Sequence, residues 1–209
     1  MPRQTSPPPE ALATPEYWDA RYTVDPATFD WFKNPASLHP FLAKHLPPAP
    51  SNPSILHLGC GNSLLPEDLH KRGYTDQLSV DFSEVVIRDM KVKYEGFEGL
   101  RWEVMDVRDM HGVGDGVVGV AVDKGTLDAM LSGSLWDPPE EVRRNTKAYI
   151  DEVARVLKSG GLFLYITYRQ PHFIKPIITR EDVWPGFEIE SIQEEGGMFE
   201  YFGFVMRKK

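Results

Sequence analysis

The chain has 209 residues, 41% of them hydrophobic and 26% charged, with a formal net charge of −8. That is enough apolar material for one core and one domain, and the negative balance opposes a binder of nucleic-acid backbone, which carries a basic face. The single cysteine, Cys60, allows no intrachain disulfide, and one Cys with six scattered His does not supply a zinc set, so no metal is expected. No apolar run approaches the ~20 residues that span a bilayer, so no membrane partner is expected. Met1 to Pro9 lacks the apolar core of a secretory signal, and the cytoplasm is the expected compartment.

Residues 1–15 are Pro-rich and predict an extended or mobile tail, with residues 16–209 as a single domain. Glu16 to Tyr22 reads as a short helix. Phe29-Asp30-Trp31-Phe32 begins a second aromatic patch, and a helix over Ala36 to His45 is stopped by Pro47-Pro48. Ser54 to Leu58 reads as a strand, Leu64 to Arg72 as a helix closed by Gly73, and Gln77 to Asp81 as a second strand. Ser83 caps a helix to about Tyr94, with Val85, Val86, Met90 and Val92 as its apolar positions. Leu100 to Val104 is a third strand. Val117 to Val122 is an unbroken apolar run, the pattern of a strand buried on both faces.

Asp137-Pro138-Pro139-Glu140-Glu141 starts a long helix, with a capping Asp, prolines in the first turn and acids near the positive end. That helix is predicted to reach Leu157 and stop at Ser159-Gly160-Gly161. Leu162 to Thr167 is a fifth strand. Phe187 to Gln193 and Met198 to Arg207, joined by Glu194-Glu195-Gly196-Gly197, read as an antiparallel pair.

The most informative stretch is Ser54-Ile55-Leu56-His57-Leu58-Gly59-Cys60-Gly61-Asn62-Ser63. An apolar run ends there in a Gly-x-Gly turn, and a second run ends in Asp81, twenty positions after Gly61. This is the layout of a nucleotide site at the carboxyl edge of a parallel sheet. The glycines permit a sharp turn and close approach, and the carboxylate can accept from both ribose hydroxyls. An adenosine-containing ligand is expected. Cys60 reads as a small residue that fits the turn.

Six ordered motifs carry a resemblance over roughly residues 16–175. They are Tyr17-Trp18-Asp19-Ala20-Arg21-Tyr22, Phe29-Asp30-Trp31-Phe32, Leu58-Gly59-Cys60-Gly61-Asn62-Ser63, Val80-Asp81-Phe82-Ser83, Met105-Asp106-Val107-Arg108 and Asp123-Lys124-Gly125-Thr126-Leu127-Asp128-Ala129. With them the chain resembles the class I (seven-β-strand) S-adenosylmethionine-dependent methyltransferases, and within these the elongation factor 1-alpha and citrate synthase lysine methyltransferases. The resemblance implies an α/β, Rossmann-like fold: a seven-stranded, mostly parallel sheet with a C-terminal antiparallel hairpin and helices on both faces. His57 stands where many such enzymes have an acid, and Ser63 replaces a third glycine. The Asn/Asp-Pro-Pro-Tyr/Phe motif of amide and nucleobase N-methyltransferases is absent.

The same resemblance implies S-adenosylmethionine as cofactor and a protein substrate, elongation factor 1-alpha first, for a monomer without a nucleic-acid partner. It places Gly59, Cys60, Gly61 and Asn62 around the methionine part of the cofactor, Asp81 on the ribose hydroxyls and Phe82 on the adenine. Asp106 would accept from the adenine amine, with the Val107 backbone beside it. Trp18, Arg21, Tyr22 and Trp31 would belong to a lid of N-terminal helices over residues 16–50, Arg21 facing the methionine carboxylate and the rings favouring the sulfonium charge. Lys124 would line the cofactor. Asp123 and Asp128 are catalytic candidates that could face the acceptor, and His172, in Pro171-His172-Phe173, is a third. Tyr165, Tyr168, Trp136 and Phe173 are candidate walls of an acceptor channel. Other readings stay open: a small-molecule methyltransferase on the same fold, a non-catalytic binding module that uses the aromatic face, and a nicotinamide dehydrogenase, which the missing third glycine and the terminal hairpin oppose.

Overall fold

The computed structural model describes residues 7–25, 27, 30, 32, 34–192 and 200–209. Seven strands form one sheet: β1 (Ile55–Leu58), β2 (Gln77–Asp81), β3 (Leu100–Val104), β4 (Val118–Lys124), β5 (Leu157–Thr167), β6 (Phe187–Ile192) and β7 (Tyr201–Arg207). Their order is β3-β2-β1-β4-β5-β7-β6. β1 pairs parallel with β2 and β4, β2 with β3 and β4 with β5, while β7 runs antiparallel to β5 and β6. The order reverses between β1 and β4, where open sheets of this kind place their ligands. The mostly parallel sheet with its C-terminal antiparallel pair agrees with the expected fold. The turn expected at Glu194 to Gly197 lies outside the described residues.

Alternation along the strands divides the core. Leu56, Leu58, Ala121, Phe163 and Tyr165 face α5 (Thr126–Met130), α6 (Glu140–Val156) and α7 (Pro171–Ile178). Ile55, Val120, Val122, Leu164 and Ile166 face α2 (Pro35–His45) and α3 (Leu65–Lys71). At the β3 edge, α1 (Pro15–Val24) packs Trp18 and Tyr22 against Val86, Ile87 and Met90 of α4 (Glu84–Lys93). Ser83 caps α4 as expected, its side chain accepting from Val86 N–H. Among the described residues no helix is long and apolar enough to cross a membrane.

Four local readings are corrected. Asp137 does not cap α6: it and Pro138 each precede a proline, which keeps both out of the helical region, so the helix starts at Glu140 behind Pro139. Asp137 instead ion-pairs with Arg143. Ser159-Gly160-Gly161 does not stop the helix; β5 begins at Leu157, and Gly160 takes a φ of 75° inside it, where the register against β4 shifts. α5 and α7 were not expected. Residues 9–13 are not an extended tail but a 3-10 helix, tied down where Trp18 Nε1 donates to Leu12 C=O at 2.9 Å.

Candidate active site

β1 ends in a turn whose two glycines both lie in the left-handed region, Gly59 at φ 59° and Gly61 at φ 50°. Neither site has room for a side chain. A Cβ on Gly59 would fall 2.2 Å from Thr126 Oγ1, and one on Gly61 would fall 2.7 Å from the Tyr22 hydroxyl. The end of β2 delivers Asp81 to the same place. Its two oxygens accept from Gly61 N–H and Ser83 N–H, each at 2.9 Å. Burial pushes the Asp81 carboxyl up to about 6, against the pull of those two amides.

A cavity of about 710 Å³ opens here, at the carboxyl edge of β1, β2 and β4. The glycine loop, Asp81, Phe82, Val107 and Arg108 form one side. Pro7, Pro9, Leu12 and Ala13 roof it together with Trp18, Arg21 and Tyr22 of α1. Trp18 and Tyr22 stack with centroids 5.8 Å apart. Residues 128–133, from α5 and the loop after it, close another wall, and Phe32, His57, Lys124 and Tyr168 line the far end.

Polar contacts at that far end hold the N-terminal segment onto the sheet. Lys124 Nζ lies 3.4 Å from Asp30 Oδ1 with both side chains largely buried, Ser63 Oγ donates to the same oxygen, and Asn62 Nδ2 donates to Ala27 C=O at 2.8 Å. Burial pulls the Lys124 amine below its usual range, and Asp30 opposes that shift. Beneath them His57 Nε2 meets Gln77 Oε1 at 2.6 Å. The Gln77 amide nitrogen already donates to Pro66 and Tyr74 carbonyls. Gln77 Oε1 is therefore the acceptor and His57 Nε2 the donor. Burial holds this imidazole at about 4, so it is neutral at physiological pH.

Two carboxylates follow β4. Asp123 is fully buried and accepts from Thr126 N–H (2.7 Å), Leu127 N–H (3.0 Å) and Tyr149 O–H (2.8 Å), which fixes the start of α5. Burial pushes it up to about 7, although Tyr149 pulls the other way. Asp128 accepts from Tyr165 O–H and Thr167 Oγ1, both at 2.7 Å, and lies 3.3 Å from Arg169 Nε. Thr126 Oγ1 donates to Leu58 C=O at 2.6 Å and joins α5 to the glycine turn.

A family model described as a methyltransferase domain matches residues 56–165, more than half of the chain and the span that carries the glycine turn, Asp81 and the β4 edge. The chain belongs to this methyltransferase family. Among curated proteins, the domain is 40% identical over 162 residues to the EEF1A lysine methyltransferase 4 of Mus musculus, covering 76% of this chain and 62% of that protein. It is 33% identical over 165 residues to the eEF1A lysine and N-terminal methyltransferase of Homo sapiens, covering 78% of this chain and 22% of that protein. The chain thus spans less than two thirds of the length of these relatives. Among solved structures, the geranyl diphosphate C-methyltransferase of Streptomyces coelicolor A3(2), in complex with Mg2+, geranyl diphosphate and S-adenosyl-L-homocysteine, superposes with a TM-score of 0.63 at 15% identity, covering 100% of both chains. At that identity the likeness is one of fold.

In this methyltransferase domain Trp18, Arg21, Tyr22, Gly59, Cys60, Gly61, Asp81, Phe82, Val107, Lys124 and Asp128 converge on one cavity. Four expected residues are placed elsewhere. Asp106 does not line it: Arg108 grips both carboxylate oxygens, and it is Arg108 that faces the cavity. Asn62 points to the Ala27 carbonyl. Asp123 faces the core as a support for α5, so it is no acceptor base. His172 is exposed on α7, its ring 4.0 Å from Phe173 and 5.8 Å from Trp136, and does not line the cavity. Trp31 lies outside the described residues. Of the expected channel walls only Tyr168 lines the cavity; Tyr165 is a core residue bonded to Asp128.

Sequence reasoning missed Asp30, Phe32, Thr126, Arg108 and the Pro9–Ala13 roof. Asp30, Phe32, Thr126 and Arg108 each stand inside a quoted motif, which was the available signal. The roof had none, because a proline-rich segment reads as extended until something is seen to hold it.

Proposed function

We propose that this domain transfers a methyl group from S-adenosylmethionine to a lysine side chain of a protein, elongation factor 1-alpha first. The observation that carries the reading is the joint arrangement of the Gly59/Gly61 turn and Asp81 at the floor of a roofed cavity. Both glycines are sterically obligatory. The Asp81 oxygens each hold one backbone amide and keep lone pairs for further donors, as a vicinal diol requires. The cavity and its donor set therefore fit the cofactor. The lysine acceptor is supported by the names of relatives at 33–40% identity.

When bound, the cofactor would supply an activated methyl group to a neutral acceptor amine, which must lose its proton beforehand. The protein aligns, desolvates and balances charge. Asp81 would accept from the ribose hydroxyls. Arg21 places positive charge in the cavity for the methionine carboxylate. Residues 7–13 with Trp18 and Tyr22 exclude water above it. Asp128 spends its oxygens on Tyr165, Thr167 and Arg169, and His57 donates to Gln77, so neither is offered as a base. A lysine with an ordinary pKa near 10.4 loses its proton by desolvation at the cavity.

Titration calorimetry with S-adenosylmethionine, S-adenosylhomocysteine and NAD tests the cofactor; micromolar binding of the first two and none of NAD is expected. Incubation with labelled donor and elongation factor 1-alpha then tests the acceptor by mass spectrometry. Label on a low-molecular-weight fraction alone would favour the small-molecule alternative.

A further inference from the structure

Three aromatic side chains meet beside the cavity. Tyr168 follows β5, Tyr201 begins β7, and Phe32 comes from the segment before α2. Thr167 pairs with Phe202, so Tyr168 and Tyr201 continue the same antiparallel register at the sheet's edge. The Phe32 ring lies 5.2 Å from Tyr168 at 69° and 5.8 Å from Tyr201 at 43°. Phe32 and Tyr168 line the cavity, and Tyr168 is 47% exposed, which puts it at the rim.

The placement of Phe32 is built in at two positions. Its φ is 67°, a region that bulky side chains avoid and that persists where the surroundings demand it. Its ring then occupies the space over Gly125, where a Cβ would come within 3.0 Å of it and where φ is 99°. Arg169 lays its guanidinium over the Tyr168 ring, 5.3 Å from the centroid, which shows that ring already holding a cation, while Lys124 and Asp30 are paired with each other. An ammonium arriving at the rim meets the Phe32 ring and shares the Tyr168 ring with Arg169, and aromatic faces attract cations and methylated amines.

We infer that Phe32 and Tyr168, backed by Tyr201, form the seat of the acceptor lysine side chain and determine which amines are methylated and how often. This rests on the lysine reading above. The rings would flank the methylene stem and strip water from the amine, and their faces would hold the product ammonium after each transfer.

The test uses the full chain with recombinant elongation factor 1-alpha, reading KM and kcat, methylation number by mass spectrometry, and S-adenosylmethionine Kd by calorimetry. Tyr168→Ala is expected to raise KM for the protein about tenfold with the cofactor Kd within twofold. Tyr168→Phe keeps the ring face and stays near wild type. Phe32→Asn, which tolerates the left-handed backbone, shifts the product toward a lower methylation number. Unchanged KM and methylation number in both Tyr168→Ala and Phe32→Asn would overturn the seat, as would a loss of cofactor affinity parallel to the rise in KM. A wild-type domain that binds S-adenosylmethionine yet leaves every lysine of elongation factor 1-alpha unmodified removes the lysine reading itself, and the seat with it.

Discussion

Gly61→Ala is the perturbation whose cost the coordinates resolve most sharply. The residue sits at φ 50°, where a Cβ costs about 1–2 kcal/mol for local steric reasons alone. The new Cβ would also stand 2.7 Å from the Tyr22 hydroxyl, on a side chain only 7% exposed and stacked on Trp18. Shifting that ring adds about 1–3 kcal/mol, the usual price of overpacking. The single variant should therefore lose about 2–5 kcal/mol of stability or misplace the roof. The next atom of Tyr22 lies 3.8 Å from the new Cβ, an ordinary contact. Removing the hydroxyl with Tyr22→Phe should thus return the Gly61→Ala variant to the backbone cost of about 1–2 kcal/mol. Urea unfolding of the four members of this double-mutant cycle, with S-adenosylmethionine titrations alongside, reads both terms. A double variant no more stable than Gly61→Ala, after the cost of Tyr22→Phe alone is subtracted, would refute the steric account.

Removing residues 1–14 should weaken cofactor binding roughly tenfold by calorimetry, the worth of ~50 Å² of apolar cover, because Leu12 and Ala13 leave the roof; an unchanged Kd would mean that the roof does not bear on the ligand. Asp81 carries opposite signs for stability and binding. Its folded pKa of about 6 lies above the ordinary 3.9, so stability is greatest below about pH 4 and falls by about 3 kcal/mol as pH rises through 6. The ionised form is the diol acceptor, so cofactor affinity should fall as pH drops below about 6, a dependence that Asp81→Asn should abolish. Tyr149→Phe should cost about 1–3 kcal/mol in urea unfolding by leaving buried Asp123 short of a donor, whereas His172→Ala should leave kcat unchanged and stability within about 0.5 kcal/mol.

The sheet was legible because β1, β4 and the end of β5 are buried apolar runs and β3 alternates Leu100 and Trp102 inward with Arg101 and Glu103 outward; β2 and β3 were read to the residue. The short elements were not. α5 spans five residues and owes its start to Asp123, a β4 carboxylate that accepts from Thr126 and Leu127 N–H once the strand has placed it there. α7 opens on Pro171 and contains Pro176, which reads locally as a break. Within the site, the glycines and Asp81 announce themselves by spacing. Asp106 misled because an acid at a strand end looks free, whereas Arg108 two positions on folds back to hold it. Phe32 and Tyr168 are far apart in the chain and become neighbours only in the fold, where their rings lie 5.2 Å apart.

That separation has a consequence for the cavity as a whole. The span shared with the methyltransferase family, residues 56–165, supplies the glycine turn, Asp81 and Lys124, whereas Leu12, Trp18, Arg21, Tyr22, Phe32 and Tyr168 complete the cavity from outside it. Cofactor contacts are thus divided between the shared span and its N-terminal flank, while Phe32 and Tyr168 both lie outside that span. On the seat inferred above, a change of acceptor is expected from substitutions at Phe32 and Tyr168, which leave the glycine turn and Asp81 untouched.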